Sequence, residues 1–175
     1  NTNYKKDEMA YLLRQSETEN LVLIDGYRDT DYLQIIYELV PELKSQPRGH
    51  LHSESFPCLR RVIFLGQEKH RGLYSLAETI SMGRLVSDAE YVQRQRSLNP
   101  HEVVNMQYTS GTTGFPKGVM LTHYNILNNG IWIGRNQLLG PQDRVCLPVP
   151  LFHCFGCVLG VLAAIPHGST LVVLE

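Results

Sequence analysis

The stretch Tyr108-Thr109-Ser110-Gly111-Thr112-Thr113-Gly114-Phe115-Pro116-Lys117-Gly118 concentrates the side chains of this protein that could do chemistry. Four hydroxyls, three glycines and one lysine follow a tyrosine. That mixture suits gripping a polyphosphate. Glycine lets the backbone approach phosphate oxygens and turn its N–H groups inward. Thr109, Ser110, Thr112 and Thr113 add neutral donors, and Lys117 carries a positive charge on a long stem. An apolar run from Val103 to Tyr108 precedes the loop and reads as a strand. A glycine-rich loop after a strand is where α/β proteins commonly hold a nucleotide. The competing reading is a surface Ser/Thr/Gly loop joining a strand to a helix.

Two familiar phosphate loops are excluded by spacing. A Walker A loop needs Gly, four residues, then Gly-Lys-Ser/Thr. Counted from Gly111, the second glycine position holds Pro116, and Lys117 is followed by Gly118, so the hydroxyl that would hold Mg²⁺ is missing. No G-x-G-x-x-G dinucleotide fingerprint occurs either.

The string instead resembles the signature loop of the adenylate-forming enzymes: acyl-CoA synthetases, luciferases and the adenylation domains of peptide synthetases. Gly118 to Asn125 resembles that family's continuation into a helix. Pro148-Val149-Pro150-Leu151-Phe152-His153-Cys154-Phe155-Gly156 resembles its next motif, which lines the acyl pocket. Asn3 to Leu13 resembles a segment where a helix precedes a strand, so the likeness runs over nearly the whole chain, with the fatty-acyl-CoA ligase branch nearest in pattern. The resemblance implies an α/β fold, a mostly parallel sheet with flanking helices, forming part of the large N-terminal domain of an adenylate-forming enzyme. It implies ATP, Mg²⁺ and coenzyme A as cofactors and a carboxylic, fatty acid as substrate. Lys117 is then catalytic, stabilising the departing pyrophosphate. Thr109, Ser110, Gly111, Thr112, Thr113 and Gly114 bind the nucleotide beside it, and no protein side chain is assigned to the metal. His153, with Phe155 and Gly156, belongs to the acyl pocket, His153 as a wall or gate rather than a base.

At 175 residues the chain has the length of one ordinary domain, whereas the enzymes it resembles are several times larger. Their later Gly-Tyr-Gly-x-Thr-Glu and Tyr-x-Thr-Gly-Asp segments are absent here, and no Met opens the sequence. The expectation is a piece from the middle of the large domain, inactive alone. Residues 1–98 are expected to form a partial α/β subdomain and 99–175 the nucleotide-loop segment, with the seam at Asn99-Pro100. Hydrophobic residues make up 43%, enough for a core. A net charge of −1 gives no electrostatic reason to expect nucleic acid. The N-terminus lacks a secretory pattern, and the longest apolar run, Phe155 to Ile165, is too short to span a bilayer. A cytoplasmic location follows as an expectation, and a piece lacking partner strands is expected to self-associate as a homo-oligomer.

The elements that must position the loop follow from periodicity. Helices are expected over Asp7–Ser16, Asp31–Leu43, Ser75–Met82, Asp88–Leu98, from Thr122 onward and over Phe155–Ile165. Ser75 and Glu78 form a capping-box pattern, and Thr122 an N-cap. Strands are expected at Leu21–Ile24 (short and buried), Arg61–Gly66, Val103–Tyr108, Arg144–Leu147 and from Thr170. Their alternation with helices predicts a parallel sheet. Lys44 to Pro57 reads as polar loop, His50, His52 and His70 as surface, and Arg94-Gln95-Arg96 as a solvated face. Trp132, Ile126, Leu127, Ile131 and Ile133 read as the buried side of the helix after Thr122.

Cys154-Phe155-Gly156-Cys157 is the remaining constellation. Zinc needs a second ligand pair, which Cys58 and Cys146 do not supply. A redox pair is allowed by placement but has no nearby cation in sequence, and the plain reading is two small buried apolar residues. Three functions stay open: an acid-activating ligase, a nucleotide-binding module without ligase chemistry, and a thiol redox or metal domain.

Overall fold

A computed structural model describes residues 1–109 and 116–174. The chain divides into two compact units, Thr2–Arg96 and Ser97–Glu175, the latter joined by Asn1.

In the first unit, helix α1 (Lys6–Gln15) opens with the Glu8 carboxylate accepting from the Lys5 N–H at 3.1 Å. Asp7 and Glu8 in its first turn and Arg14 in its last complement the helix dipole. Strand β1 (Asn20–Leu23) leads through a small antiparallel ribbon, β2 (Gly26–Tyr27) and β3 (Thr30–Asp31), into helix α2 (Tyr32–Leu39). The Asp31 side chain caps α2 by accepting from the Gln34 N–H at 2.8 Å. Strand β4 (Arg61–Phe64) pairs parallel with β1, Asn20 opposite Arg61 through Leu23 opposite Phe64. Strand β5 (Tyr74–Ser75) pairs parallel with β4 on its other side. One core gathers Leu13 from α1, Ile36 and Val40 from α2, and Val62 and Phe64 from β4. Helices α3 (Leu76–Met82) and α4 (Asp88–Arg96) follow with no buried residue. The reciprocal bonds of the Ser75–Glu78 capping box are both present, at 2.9 and 3.2 Å.

Three expectations for this unit are corrected. β1 is not a fully buried strand: Leu23 is buried, but Val22 and Ile24 are exposed, because the strand is half-covered. The 44–57 segment is irregular but not simply solvated, since Leu51, Ser53 and Phe56 are buried. Isolated apolar residues in a polar stretch have no period to betray them. His70 is half-buried, its ring edge-on to Phe64 with centroids 4.4 Å apart, whereas His50 and His52 are exposed.

In the second unit, β6 (Val103–Thr109) and β7 (Lys117–Thr122) form an antiparallel hairpin. Helix α5 (His123–Asn136) follows directly, capped by Thr122 and Asn125, whose side chain and backbone exchange bonds at 3.1 and 3.2 Å. Strand β8 (Arg144–Leu147) reaches its parallel partner β9 (Thr170–Val173) through a helical crossover. That crossover is π-wound over Phe155–Val161, continues as α6 (Leu162–Ala164) and tightens to a 3₁₀ turn at Ile165–His167. The architecture is mixed α/β with parallel pairing in β1–β4–β5 and β8–β9 and helices flanking, as the sequence predicts.

Two corrections arise here. The helix opens at Thr122 as expected, but Lys117–Thr122 before it is an unexpected strand, so the loop joins two strands of a hairpin. On α5, Ile126 is buried as expected and Ile131 and Ile133 are half-buried, but Trp132 is 60% exposed and Leu127 46%, and the buried face is completed by Gly130 and Gly134. Ile126, Gly130 and Gly134 stand at i, i+4 and i+8, one face of a helix, and a Cβ added to Gly130 would collide with the Leu162 carbonyl oxygen. At Gly130 the helices approach by backbone, so glycine marks the contact face together with Ile126. Among the described residues, no helix is long and apolar enough to cross a membrane.

Candidate functional site

Ser110, Gly111, Thr112, Thr113 and Gly114 lie outside the described residues. Thr109 and Lys117, which bracket them, are described. They stand directly opposite each other as the last pair of the β6–β7 ladder. Residues directly opposite in an antiparallel pair project from the same face, with Cβ atoms roughly 4.5–5.5 Å apart. The hairpin therefore sets a hydroxyl beside an ammonium at the mouth of the glycine-rich segment. Both residues are exposed. The remaining pairs, Tyr108 with Gly118 down to Asn105 with Leu121, fix that position along the ladder.

Asn105 is a residue the sequence reading passes over. It projects from the same ladder face as Thr109 and Lys117, four positions along. Its Oδ1 is buried and has no hydrogen-bond partner among the described residues. A single asparagine inside an apolar strand gives no sequence signal.

The Pro148–Gly156 motif forms the entry to the β8–β9 crossover. The His153 N–H donates to the Pro150 carbonyl at 3.2 Å, and the Cys157 N–H donates to the His153 carbonyl at 3.0 Å. The His153 ring accepts at Nδ1 from the Phe155 N–H at 3.1 Å. A neutral imidazole that accepts at one nitrogen carries its proton on the other, so His153 offers an Nε2–H donor. Phe155 is exposed and Gly156 buried. A Cβ at Gly156 would strike the Pro150 carbonyl oxygen, so this turn needs glycine for close approach. Cys154 is exposed and Cys157 half-buried, against the plain reading of two buried thiols. Among the described residues, no group of three or more His, Cys, Asp or Glu side chains could hold a metal.

The donor set on the hairpin, one ammonium and one hydroxyl on a shared face flanking glycines, fits an anionic phosphate group. A purely structural hairpin has no use for an exposed lysine beside the loop, though it tolerates one.

Comparison with known proteins adds the following. The family model described as AMP-binding enzyme matches residues 1–175. A Bacillus subtilis (strain 168) protein provisionally named acyl-CoA synthetase YngI is 48% identical over 175 residues, covering 100% of this chain and 32% of that protein. The mitochondrial medium-chain acyl-CoA ligase ACSF2 of Bos taurus is 34% identical over 177 residues, 98% of this chain and 29% of its own. The crystal structure of a long-chain-fatty-acid-CoA ligase, FadD1 from Archaeoglobus fulgidus, superposes with a TM-score of 0.63 at 27% identity, covering 99% of this chain and 29% of that one. The anthranilate CoA ligase AuaEII, solved with anthranoyl-AMP, shares the fold with a TM-score of 0.70 at 21% identity over 100% of this chain and 29% of its own. The chain thus spans about a third of the length of the curated relatives it matches.

Proposed function

The chain belongs to the AMP-binding enzyme family, and from that premise we propose that it is the nucleotide-loop part of an acyl-CoA synthetase. The whole enzyme joins a carboxylic, fatty acid to ATP as an acyl-adenylate and passes the acyl group to coenzyme A. In this reading residues 1–98 are a partial subdomain of the large N-terminal domain and 99–175 carry the phosphate loop. The observation that carries the reading is the Thr109–Lys117 pair closing the hairpin ladder at the two ends of the glycine-rich segment.

A carboxylate is a poor electrophile, and MgATP, when bound, supplies an adenylyl group that turns it into a mixed anhydride. The task left to the protein is to hold negative charge as pyrophosphate departs. Donors fixed before the reaction do this without reorganising, which is their advantage over water. Lys117 takes that role here, with Thr109, Ser110, Thr112 and Thr113 as neutral donors and Gly111 and Gly114 permitting backbone approach. His153 serves as a wall that offers an Nε2–H donor, and it stays a poor base at Nδ1 while that atom accepts from Phe155. Phe155 and Gly156 shape the acyl side. The location on this reading is cytoplasmic. The bovine relative is named as mitochondrial, and cell fractionation decides between the two.

The test is carboxylate-dependent ATP–pyrophosphate exchange by the full-length protein, with acids from acetate to long-chain fatty acids. Exchange that requires one class of acid is the expected result. ATP binding with no exchange for any acid favours a nucleotide-binding module and sinks the ligase reading. Lys117→Ala is predicted to slow exchange by roughly 10²–10³-fold, the loss seen when one pre-placed donor is removed. Unfolding should shift by no more than about 0.5 kcal/mol, as for an exposed residue. A wild-type exchange rate in this variant refutes the phosphate role.

A further inference from the structure

The Cys154–Cys157 pair is not used by the acid-activating reading, and the structure gives it a chemistry of its own. Cys154 is exposed, and its Sγ lies 3.7 Å from His153 Nδ1. Cys157 sits one turn later, half-buried. We propose that Cys154 is a site of reversible oxidation by a hydroperoxide, with Cys157 as the resolving thiol, and that the resulting disulfide displaces His153 and Phe155.

The first step moves the Cys154 thiol proton to His153 Nδ1, which must first release the Phe155 N–H that it accepts from in the resting turn. The sulfur then attacks the nearer oxygen of the hydroperoxide. An S–O bond forms, the O–O bond breaks, and the alcohol or water leaves with the proton returned by the imidazole. Sulfur is oxidised by two electrons and the peroxide reduced by two. In the second step the Cys157 sulfur attacks the Cys154 sulfenic acid. An S–S bond forms, the S–O bond breaks, and water leaves with the Cys157 proton.

Geometry links this chemistry to the site. Residues three apart on a helix have Cβ atoms about 5–6 Å apart, and a disulfide needs about 3.5–4.5 Å. The turn from Cys154 to Cys157 must therefore tighten. Two bonds hold that turn as it is, Phe155 N–H to His153 Nδ1 and Cys157 N–H to the His153 carbonyl. Both involve His153, so closing the disulfide moves the imidazole and the exposed Phe155 ring together. Cys146 is also exposed, yet no imidazole among the described residues is hydrogen-bonded to it, which makes it an internal control.

The thiol chemistry stands apart from the acid-activating reading, whereas the effect on turnover rests on it. The full-length protein is treated with hydrogen peroxide and its cysteine peptides are followed by mass spectrometry. Cys154 is expected to react at least about ten-fold faster than Cys146, the size of a modest general-base effect. The peptide containing Cys154 and Cys157 is expected to lose two hydrogens, and Cys157→Ser to stop at a sulfenic acid that dimedone traps. Equal reactivity of Cys146 and Cys154, or disulfides formed only between chains, overturns the proposal. Oxidation is further expected to abolish acid-dependent exchange in the wild type but not in Cys157→Ser, which cannot close the disulfide, with recovery of the wild type on adding a dithiol. An intramolecular disulfide that leaves exchange unchanged overturns the displacement of His153 and Phe155. If the reduced wild type shows no exchange with any acid, the ligase reading fails, and the mass shift still decides the thiol site.

Discussion

The two units solve the problem of holding backbone in place differently. In Thr2–Arg96, large side chains do it: Ile36, Val40, Leu59, Val62 and Leu73 are essentially removed from solvent around a three-stranded parallel sheet. In Ser97–Glu175, the described strands come in pairs only. Packing against α5 runs through Ile126, Gly130 and Gly134, and among the described residues of this unit the side chains at 0% exposure are the small Ala163 and Ala164, with Val158 at 3% and Leu147 at 5%. An isolated two-stranded ladder is marginal in water. The unit that carries the glycine-rich segment is thus the less self-sufficient of the two, and close backbone approach at Gly130 shapes it alongside a few buried side chains.

The sharpest way to break that contrast is to delete bulk from the first unit. Ile36→Ala removes a side chain with 0% exposure. The loss of transfer free energy plus the cavity left behind should destabilise the protein by about 2–5 kcal/mol, read as a fall in the urea midpoint. A loss below about 1 kcal/mol would mean that this core collapses to fill the gap and is no more tightly specified than the second unit.

The second unit calls for the opposite operation, the addition of one methyl. In an open helix Gly→Ala gains about 1 kcal/mol. At Gly130 the new Cβ meets the backbone of Leu162, which has no rotamer to yield. Gly130→Ala is therefore predicted to destabilise by about 1–3 kcal/mol, as overpacking does. A stabilised Gly130→Ala protein would show that α5 is not held by close backbone approach.

How much of this was legible in advance follows the same divide. α1, α2, β4 and the Ser75–Glu78 cap could be read because periodicity and capping are local. β7 could not: Gly118-Val119-Met120-Leu121 is too short to separate strand from helix, and the register opposite β6 is a long-range fact. Trp132 misled for a related reason. Apolar bulk on a helix predicts burial only where the neighbour leaves room for it, and here the neighbouring backbone lies too close. Of the candidate site, the sequence identified Thr109 and Lys117 by composition. Their pairing on one ladder face, the Nδ1 bond that fixes the His153 tautomer, and the exposure of Cys154 needed coordinates. The buried Asn105 Oδ1, without a partner among the described residues, had no sequence signal at all.

The smallest expected effect concerns the start of α3, a helix of the first unit that lies outside its core. Glu78 accepts from the Ser75 N–H and from the Arg48 guanidinium at 2.8 Å. These contacts, the backbone bond foremost and Arg48 next, lower its pKa from 4.5 to about 2. Because the folded value is depressed, its stabilisation is fully present above the ordinary carboxylate value and fades as pH falls toward about 2. Glu78→Gln keeps much of the shape but cannot carry the charge, so its melting temperature should lose part of the slope that the wild type shows over that acid window, with little difference between slopes at neutral pH. Other carboxylates, among them Asp29 and Glu38, are lowered as well, so only the difference between the two proteins isolates Glu78. Identical acid slopes in wild type and variant would mean that the cap of α3 frays freely, and that the ordered scaffold of the first unit stops at β5.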